Sequence, residues 1–158
     1  MIKTTYSDAI TSVKKPAKIT FAVVKDKIGK FNTITLEWFM RTSIKPPMIA
    51  ISIGHSRYSY DCLQNFRYFN LCFPSKEIRE ATLISGSRSG RDIDKVSALN
   101  EEFFPGKLAK LPIFKNAAAN FECEIVTQVR SGDHTIFVGE VKHSWVNKKR
   151  SLLLFSDL

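Results

Sequence analysis

Hydrophobic and polar positions alternate along much of this chain with the period of two expected of strands, and the alternation is interrupted at regular intervals by turn residues. After a polar N-terminal arm, residues 17–24 (AKITFAVV) form a β-branched run of strand type that starts at Pro16. Residues 25–30, with Gly29 among charges, read as a hairpin turn whose second arm is residues 31–39. Residues 48–53 are almost wholly apolar and predict a buried strand. A helix is expected over 58–67, a strand over 68–73, and a second helix over 76–84, where Glu77 and Glu80 favour the positive N-terminal end. Residues 85–90 then form a glycine-serine loop, 103–106 cross over the core, and 112–119 return the chain to the sheet. Two strands close the pattern. In residues 121–129, Phe121, Cys123 and Ile125 face inward against Glu122, Glu124 and Gln128 outward, and residues 130–133 turn the chain into 134–146. Residues 151–155 add a last strand.

About six strands with a few short helices, and no regular strand–helix alternation, predict a mainly antiparallel sheet closed or nearly closed into a barrel. The length of 158 residues and the 44% hydrophobic content suit one domain spanning 1–158 with a complete core. Twelve phenylalanines fit a barrel core, with some left over for a subunit interface. Three cysteines, Cys62, Cys72 and Cys123, supply no disulfide framework and suit a reducing cytoplasm. No stretch approaches the roughly 20 apolar residues that span a bilayer, nor the core of a signal peptide, so neither membrane association nor export is expected.

Charge narrows the partners to anions. The net charge of +9 is spread over separate clusters: Lys14-Lys15, residues 25–30, residues 88–95 and residues 148–150. The stretch 32–59 concentrates the candidate chemistry. It runs from a threonine-bearing segment through Trp38, Ser43 and Pro46-Pro47 into the apolar strand, then at Gly54 into a loop with Arg57, Tyr58 and two serines. Ser59 as N-cap beside Arg57 makes an anion seat, because the first N–H groups of a helix carry unsatisfied partial positive charge. An ordinary strand–turn–helix has the same local sequence. Ser89-Gly90 with the following cations also suits a phosphate, although ISGSRSGRD lacks the dinucleotide fingerprint. His55, His134 and His143 are too dispersed for a metal site, and none is expected. Ser131, Asp133 and His134 are neighbours in one turn and cannot converge as a nucleophilic triad. Cations interleaved with aromatics, as in Arg57-Tyr58 and Arg67-Tyr68-Phe69, leave a barrel that stacks single-stranded nucleic acid as a distant alternative, against which no nucleic-acid partner is expected.

The ordered series Asn32-Thr33-Ile34-Thr35, Trp38, Ser43, Pro46-Pro47, Ser52-Ile53, Arg57-Tyr58-Ser59, Phe69-Asn70, Ser89-Gly90-Arg91, Asp94-Lys95, Cys123, Gly132-Asp133-His134 and Gly139-Glu140-Val141 resembles the flavin reductase-like family, which includes flavoredoxins. The resemblance implies an FMN-binding split β-barrel working as a homodimer, with noncovalent FMN near the subunit interface. It places Asn32, Thr33, Ile34 and Thr35 beside the isoalloxazine ring, Ser52, Ile53 and Gly54 along the ribityl chain, and Arg57, Tyr58 and Ser59 at the phosphate. Ser59 stands where many members carry threonine, which keeps the hydroxyl. Ser89, Gly90 and Lys95 bring backbone and positive charge close to the flavin, and His134 stands where the family has a histidine near the nicotinamide or the flavin face.

The activity implied is NADH- or NADPH-dependent reduction of flavin, with electrons passed to free flavin, a ferric chelate or a protein acceptor. A flavoredoxin-like carrier reduced by a redox protein is the alternative. Glu37 and Val96 depart from the small residue and the aromatic more usual in the family, and the chain stops at Leu158, short of the usual C-terminal extension, so a more open flavin site is expected.

Overall fold

The computed structural model describes residues 2–13 and 16–158, so the Lys14-Lys15 cluster lies outside the described residues. Nine strands are described: β1 (Thr20–Lys25), β2 (Phe31–Leu36), β3 (Phe39–Ser43), β4 (Met48–Gly54), β5 (Tyr68–Phe73), β6 (Phe103–Pro105), β7 (Pro112–Phe114), β8 (Ala119–Ser131) and β9 (His134–Val146). The helices are α1 (Tyr6–Val13), α2 (Tyr58–Asn65), α3 (Arg79–Ser87) and α4 (Lys95–Ala98), with short 3-10 turns at Lys76–Ile78 and Phe155–Asp157. Seven strands form one sheet in the order β2-β1-β5-β8-β9-β4-β3, every neighbouring pair antiparallel, and β6 pairs with β7 separately.

The two edges of the large sheet, β2 and β3, are consecutive in the chain. Residues 31–39 are therefore not the single strand that the apolar pattern predicts. The chain leaves β2 after Leu36, and the Trp38 carbonyl accepts from Ser52 N on β4 at 3.0 Å. One peptide segment thus spans the gap where hydrogen bonding between β2 and β3 is missing. This makes the sheet a split β-barrel, closed at this point by a chain connection and not by a ladder.

Burial explains why β1 reads as a continuous apolar run. Ala22 and Val24 face the barrel interior with Ile51, Ile53, Phe69, Leu71, Cys123 and Phe137, whereas Phe21 and Val23 face a second core with Cys72, Ile78, Ala81, Leu99 and Phe114. A strand covered on both faces has no polar side to alternate with. The second core is capped by α3, α4 and the β6–β7 ribbon, so residues 103–106 are a paired strand with its turn and not merely a crossing.

Other boundaries shift for local reasons. The N-terminal arm contains α1, opened by Thr5 Oγ1, which accepts from Asp8 N at 3.1 Å and donates to the Asp8 carboxylate at 2.7 Å. The second helix continues through Ser87, drawing Ser85 and Gly86 out of the expected loop. α2 ends at Asn65. The last strand is reduced to two isolated bridges, Leu152 to Ser75 and Leu154 to Lys18. Glu122 faces out of the barrel as its alternation says, yet is fully buried, because the segment after β6 folds over it. Among the described residues, no helix is long and apolar enough to cross a membrane.

Candidate functional site

A groove runs along the split of the barrel in two connected parts. The first, about 310 Å³, is lined by β2, the start of α2, the end of α3 and the loop before α4; Asn32, Arg57, Ser59, Gly90, Arg91 and Lys95 are among its walls. The second, about 180 Å³, continues past the shared residues Ile34, Thr35 and Arg57 to Ser52, Ile53, Gly54, Trp38 and His134. Of the residues singled out in the sequence, all but Thr33 line one part or the other. Thr33 lies behind the wall, where its hydroxyl meets Ser85 Oγ at 2.9 Å and its carbonyl accepts from Lys95.

The first part is built for an anion. Arg57, not Ser59, occupies the N-cap position of α2, in extended backbone (φ −83°, ψ 138°), and no side chain caps that helix. Ser59 therefore sits inside the first turn. Tyr60 N donates to the Arg57 carbonyl at 2.9 Å, while Tyr58 N and Ser59 N have no earlier helical carbonyl to bond, which leaves partial positive charge at the groove. The Arg57 guanidinium makes no hydrogen bond or ion pair with another described residue. Lys95 is 4% exposed and donates to the Thr33 carbonyl at 2.6 Å and the Ser85 carbonyl at 2.7 Å. Burial, reinforced by the nearby Arg57 charge, pushes its ammonium down to about 8. Two cations held this close without a carboxylate partner repel each other, and a bound anion relieves that repulsion.

A rigid frame surrounds them. Asp26 in the β1–β2 turn accepts from Lys30 N, Ile28 N and the Tyr58 hydroxyl, the last at 2.8 Å. Although burial alone would raise its carboxyl, these bonds hold it below the usual range, and the same contact with Asp26 raises the Tyr58 phenol to about 12. Arg91 stacks over Tyr58 and pairs with Asp61 at 2.7 Å, tying the loop before α4 to α2. Arg88 and Arg91 also line this part; in the sequence only their membership of the charge cluster 88–95 points to them.

The second part has different chemistry. His134 opens β9, and its Nδ1 lies 2.6 Å from the Asp133 carboxylate. Since a carboxylate only accepts, Nδ1 carries the proton, and in the neutral ring Nε2 is left as an acceptor. Trp38 rests on the imidazole at a centroid distance of 4.7 Å and is 58% exposed. His55 points elsewhere, to the Thr135 hydroxyl at 3.0 Å.

The arrangement fits a phosphorylated planar ligand: cations and hydroxyls at one end, strand backbone and a histidine beside a tryptophan at the other. Two features of the groove agree with that. Asn32 Oδ1 is buried in the first part without a donor, and the Gly90 wall allows no side chain there, since a Cβ would sit 2.1 Å from that oxygen.

Comparison with known proteins gives the same direction. Residues 14–157 match the family model described as the flavin reductase like domain. An uncharacterised protein of Archaeoglobus fulgidus is 33% identical over 124 residues, covering 78% of this chain and 70% of that one. An NADH-dependent FAD reductase of Streptomyces globisporus is 27% identical over 127 residues, 78% of this chain and 67% of its own. Among solved structures, an FMN-binding protein of Thermus thermophilus superimposes with a TM-score of 0.79 at 26% identity, covering 92% of this chain and 86% of that one.

Proposed function

This chain belongs to the flavin reductase-like family, and we propose from that premise that it binds FMN noncovalently and passes electrons from NADH or NADPH to free flavin, a ferric chelate or a protein acceptor. The observation that carries the reading is the unpaired Arg57 guanidinium between the two parts of the groove. Arg57, Ser59 and the first turn of α2 would hold the phosphate, with Ser89, Gly90 and Lys95 closing over it. Ser52, Ile53 and Gly54 would follow the ribityl chain, and Ile34 and Thr35 with their neighbours would border the ring. Bound FMN would supply hydride and electron chemistry that side chains lack. His134, held by Asp133, presents Nε2 to the ring end of the groove and orients the nicotinamide there. The Lys95 ammonium adds positive charge that favours the phosphate by Coulomb attraction.

Anaerobic stopped-flow mixing of the FMN-loaded protein with NADH and with NADPH tests this. Rapid loss of the oxidised flavin band is expected, slowed in His134→Ala while FMN affinity stays nearly constant. Equal loss of both would assign the histidine to flavin binding or folding. Bleaching only by a reduced redox protein would make the chain a flavoredoxin-like carrier.

The working unit is a homodimer. Trp38 and Met40 are 58% and 60% exposed, and with Phe39, Ala50, Ile51 and Ile136 they border an apolar hollow of about 230 Å³ next to the ring end of the groove. A second copy covering that hollow would also complete the flavin site. Light scattering should give a dimer, and dilution should release FMN as the dimer dissociates; a monomer that keeps its flavin would contradict the coupling.

A further inference from the structure

Asn32 and Ser59 are 27 residues apart in sequence, each 2% exposed, and joined by a hydrogen bond from Asn32 Nδ2 to Ser59 Oγ of 2.8 Å. The direction of that bond matters. An amide NH₂ donates and cannot accept, so Ser59 Oγ is the acceptor and keeps its own proton for another partner. No described residue takes that proton. Ser59 lines the cavity it shares with Arg57, Arg91 and Lys95, where a proton donor and three cations face the same space.

We propose that Asn32 is a positioning residue that fixes the Ser59 hydroxyl as a donor toward the groove and so makes the seat selective for the phosphate of a flavin nucleotide over the uncharged alcohol of riboflavin. The inference rests on the reading that this end of the groove takes the FMN phosphate. It moves Asn32 from the ring, where family resemblance puts it, to a place behind the phosphate.

Asn32 Oδ1 is buried without a hydrogen-bond partner among the described residues. Turning the amide over would exchange one orphan for another: Oδ1 would then accept the Ser59 proton, and Nδ2 would face Gly90 unpaired. With an anion in the groove the two orientations differ sharply. In the orientation described, the hydroxyl gives the anion a charge-assisted hydrogen bond; in the other, its lone pairs face the negative charge. A bound phosphate therefore selects the arrangement in which the amide donates. Gly90 maintains it by its lack of a side chain, since a Cβ would meet Asn32 Oδ1 at 2.1 Å, Asn32 Cγ at 2.8 Å and Tyr58 Cδ1 at 2.9 Å.

The test is the ratio of FMN to riboflavin affinity, titrated by flavin fluorescence on the full-length apoprotein. Asn32→Ala lets the Ser59 hydroxyl rotate and should lower the ratio roughly fivefold, while Asn32→Asp accepts the hydroxyl proton and adds a negative charge, lowering it roughly fiftyfold or more. Ser59→Thr should keep the ratio. In a Ser59→Ala background, Asn32→Ala should change it no further, and this cycle decides the matter should Asn32→Asp fail to fold. Equal weakening of both ligands by the Asn32 variants, or additive effects in the cycle, would give Asn32 a merely structural role and overturn the inference. A ratio lowered by Arg57→Ala but untouched by Asn32 variants overturns the inference and leaves the phosphate reading standing. A ratio near one in the unaltered protein overturns both.

Discussion

Arg57→Ala lowers the affinity for FMN about ten- to a hundredfold and leaves the affinity for riboflavin nearly unchanged. The estimate follows from the loss of one charge-assisted contact, typically about 1.5 to 3 kcal/mol, with roughly 1.4 kcal/mol for each factor of ten. Two features favour the upper part of that range, and a third works against them. Arg57 stands at the N-cap of α2, so its charge adds to the partial charge of the first-turn N–H groups. It has no carboxylate partner to release, so the phosphate gains the whole interaction. Lys95 is close enough to feel it, so removing Arg57 also lets the Lys95 ammonium relax upward, which offsets part of the loss. Arg57→Lys keeps the charge without the planar fork and should fall between the two. The measurement is a fluorescence titration at two salt concentrations. If FMN and riboflavin weaken together, Arg57 contacts the ring or supports the fold, and the phosphate assignment fails.

What the sequence discloses and what it hides differ in range along the chain. The strands at 48–53 and 68–73 were legible because their apolar content is local and their ends carry Gly54 and Pro74. The β2–β3 break was not, because Glu37 and Trp38 continue the pattern of a strand; what ends it is a bond to Ser52 on β4. The helix at Tyr6–Val13 had a readable sign in Thr5 and Asp8, spaced as a capping box, but its apolar positions Tyr6, Ile10 and Val13 remain exposed and gave no core to anticipate.

The candidate site shows the same division. Arg57, Ser59 and His134 were identifiable because they adjoin turns whose geometry exposes them, and family resemblance ordered them. The Asn32–Ser59 bond, the Lys95 contacts with β2 and α3, and the Asp26–Tyr58 clamp join positions from 10 to 62 residues apart, which no local pattern encodes. Lys95 illustrates the cost of that blindness. A lysine in a charge cluster reads as solvated, yet here it is buried against two carbonyls, and its proton is held less firmly than in water.

Glu122→Leu should destabilise the protein by about 3 kcal/mol, because it removes a fully buried carboxylate that serves three part-buried donors at once. The carboxylate accepts from Lys107 N at 3.2 Å, Leu108 N at 2.5 Å and Trp145 Nε1 at 2.7 Å. The loop it holds includes Ala109 and Lys110 at φ 56° and 59°, a left-handed conformation that costs about 1 kcal/mol or more per residue away from glycine. Gly106 brings the backbone onto the carboxylate, where a Cβ would lie 2.6 Å from Oε2. Without these bonds the loop has little reason to keep its strained residues, and the β6–β7 ribbon that caps the second core loosens with it. Melting should therefore fall by roughly 10 °C or more, followed by circular dichroism. Glu122→Gln keeps the shape and one acceptor oxygen, so its loss should be about half as large. None of the residues involved lines the groove. Below the melting transition, FMN affinity in both variants should match that of the unaltered protein, whereas weakened FMN binding at full folding would show that the second core communicates with the site.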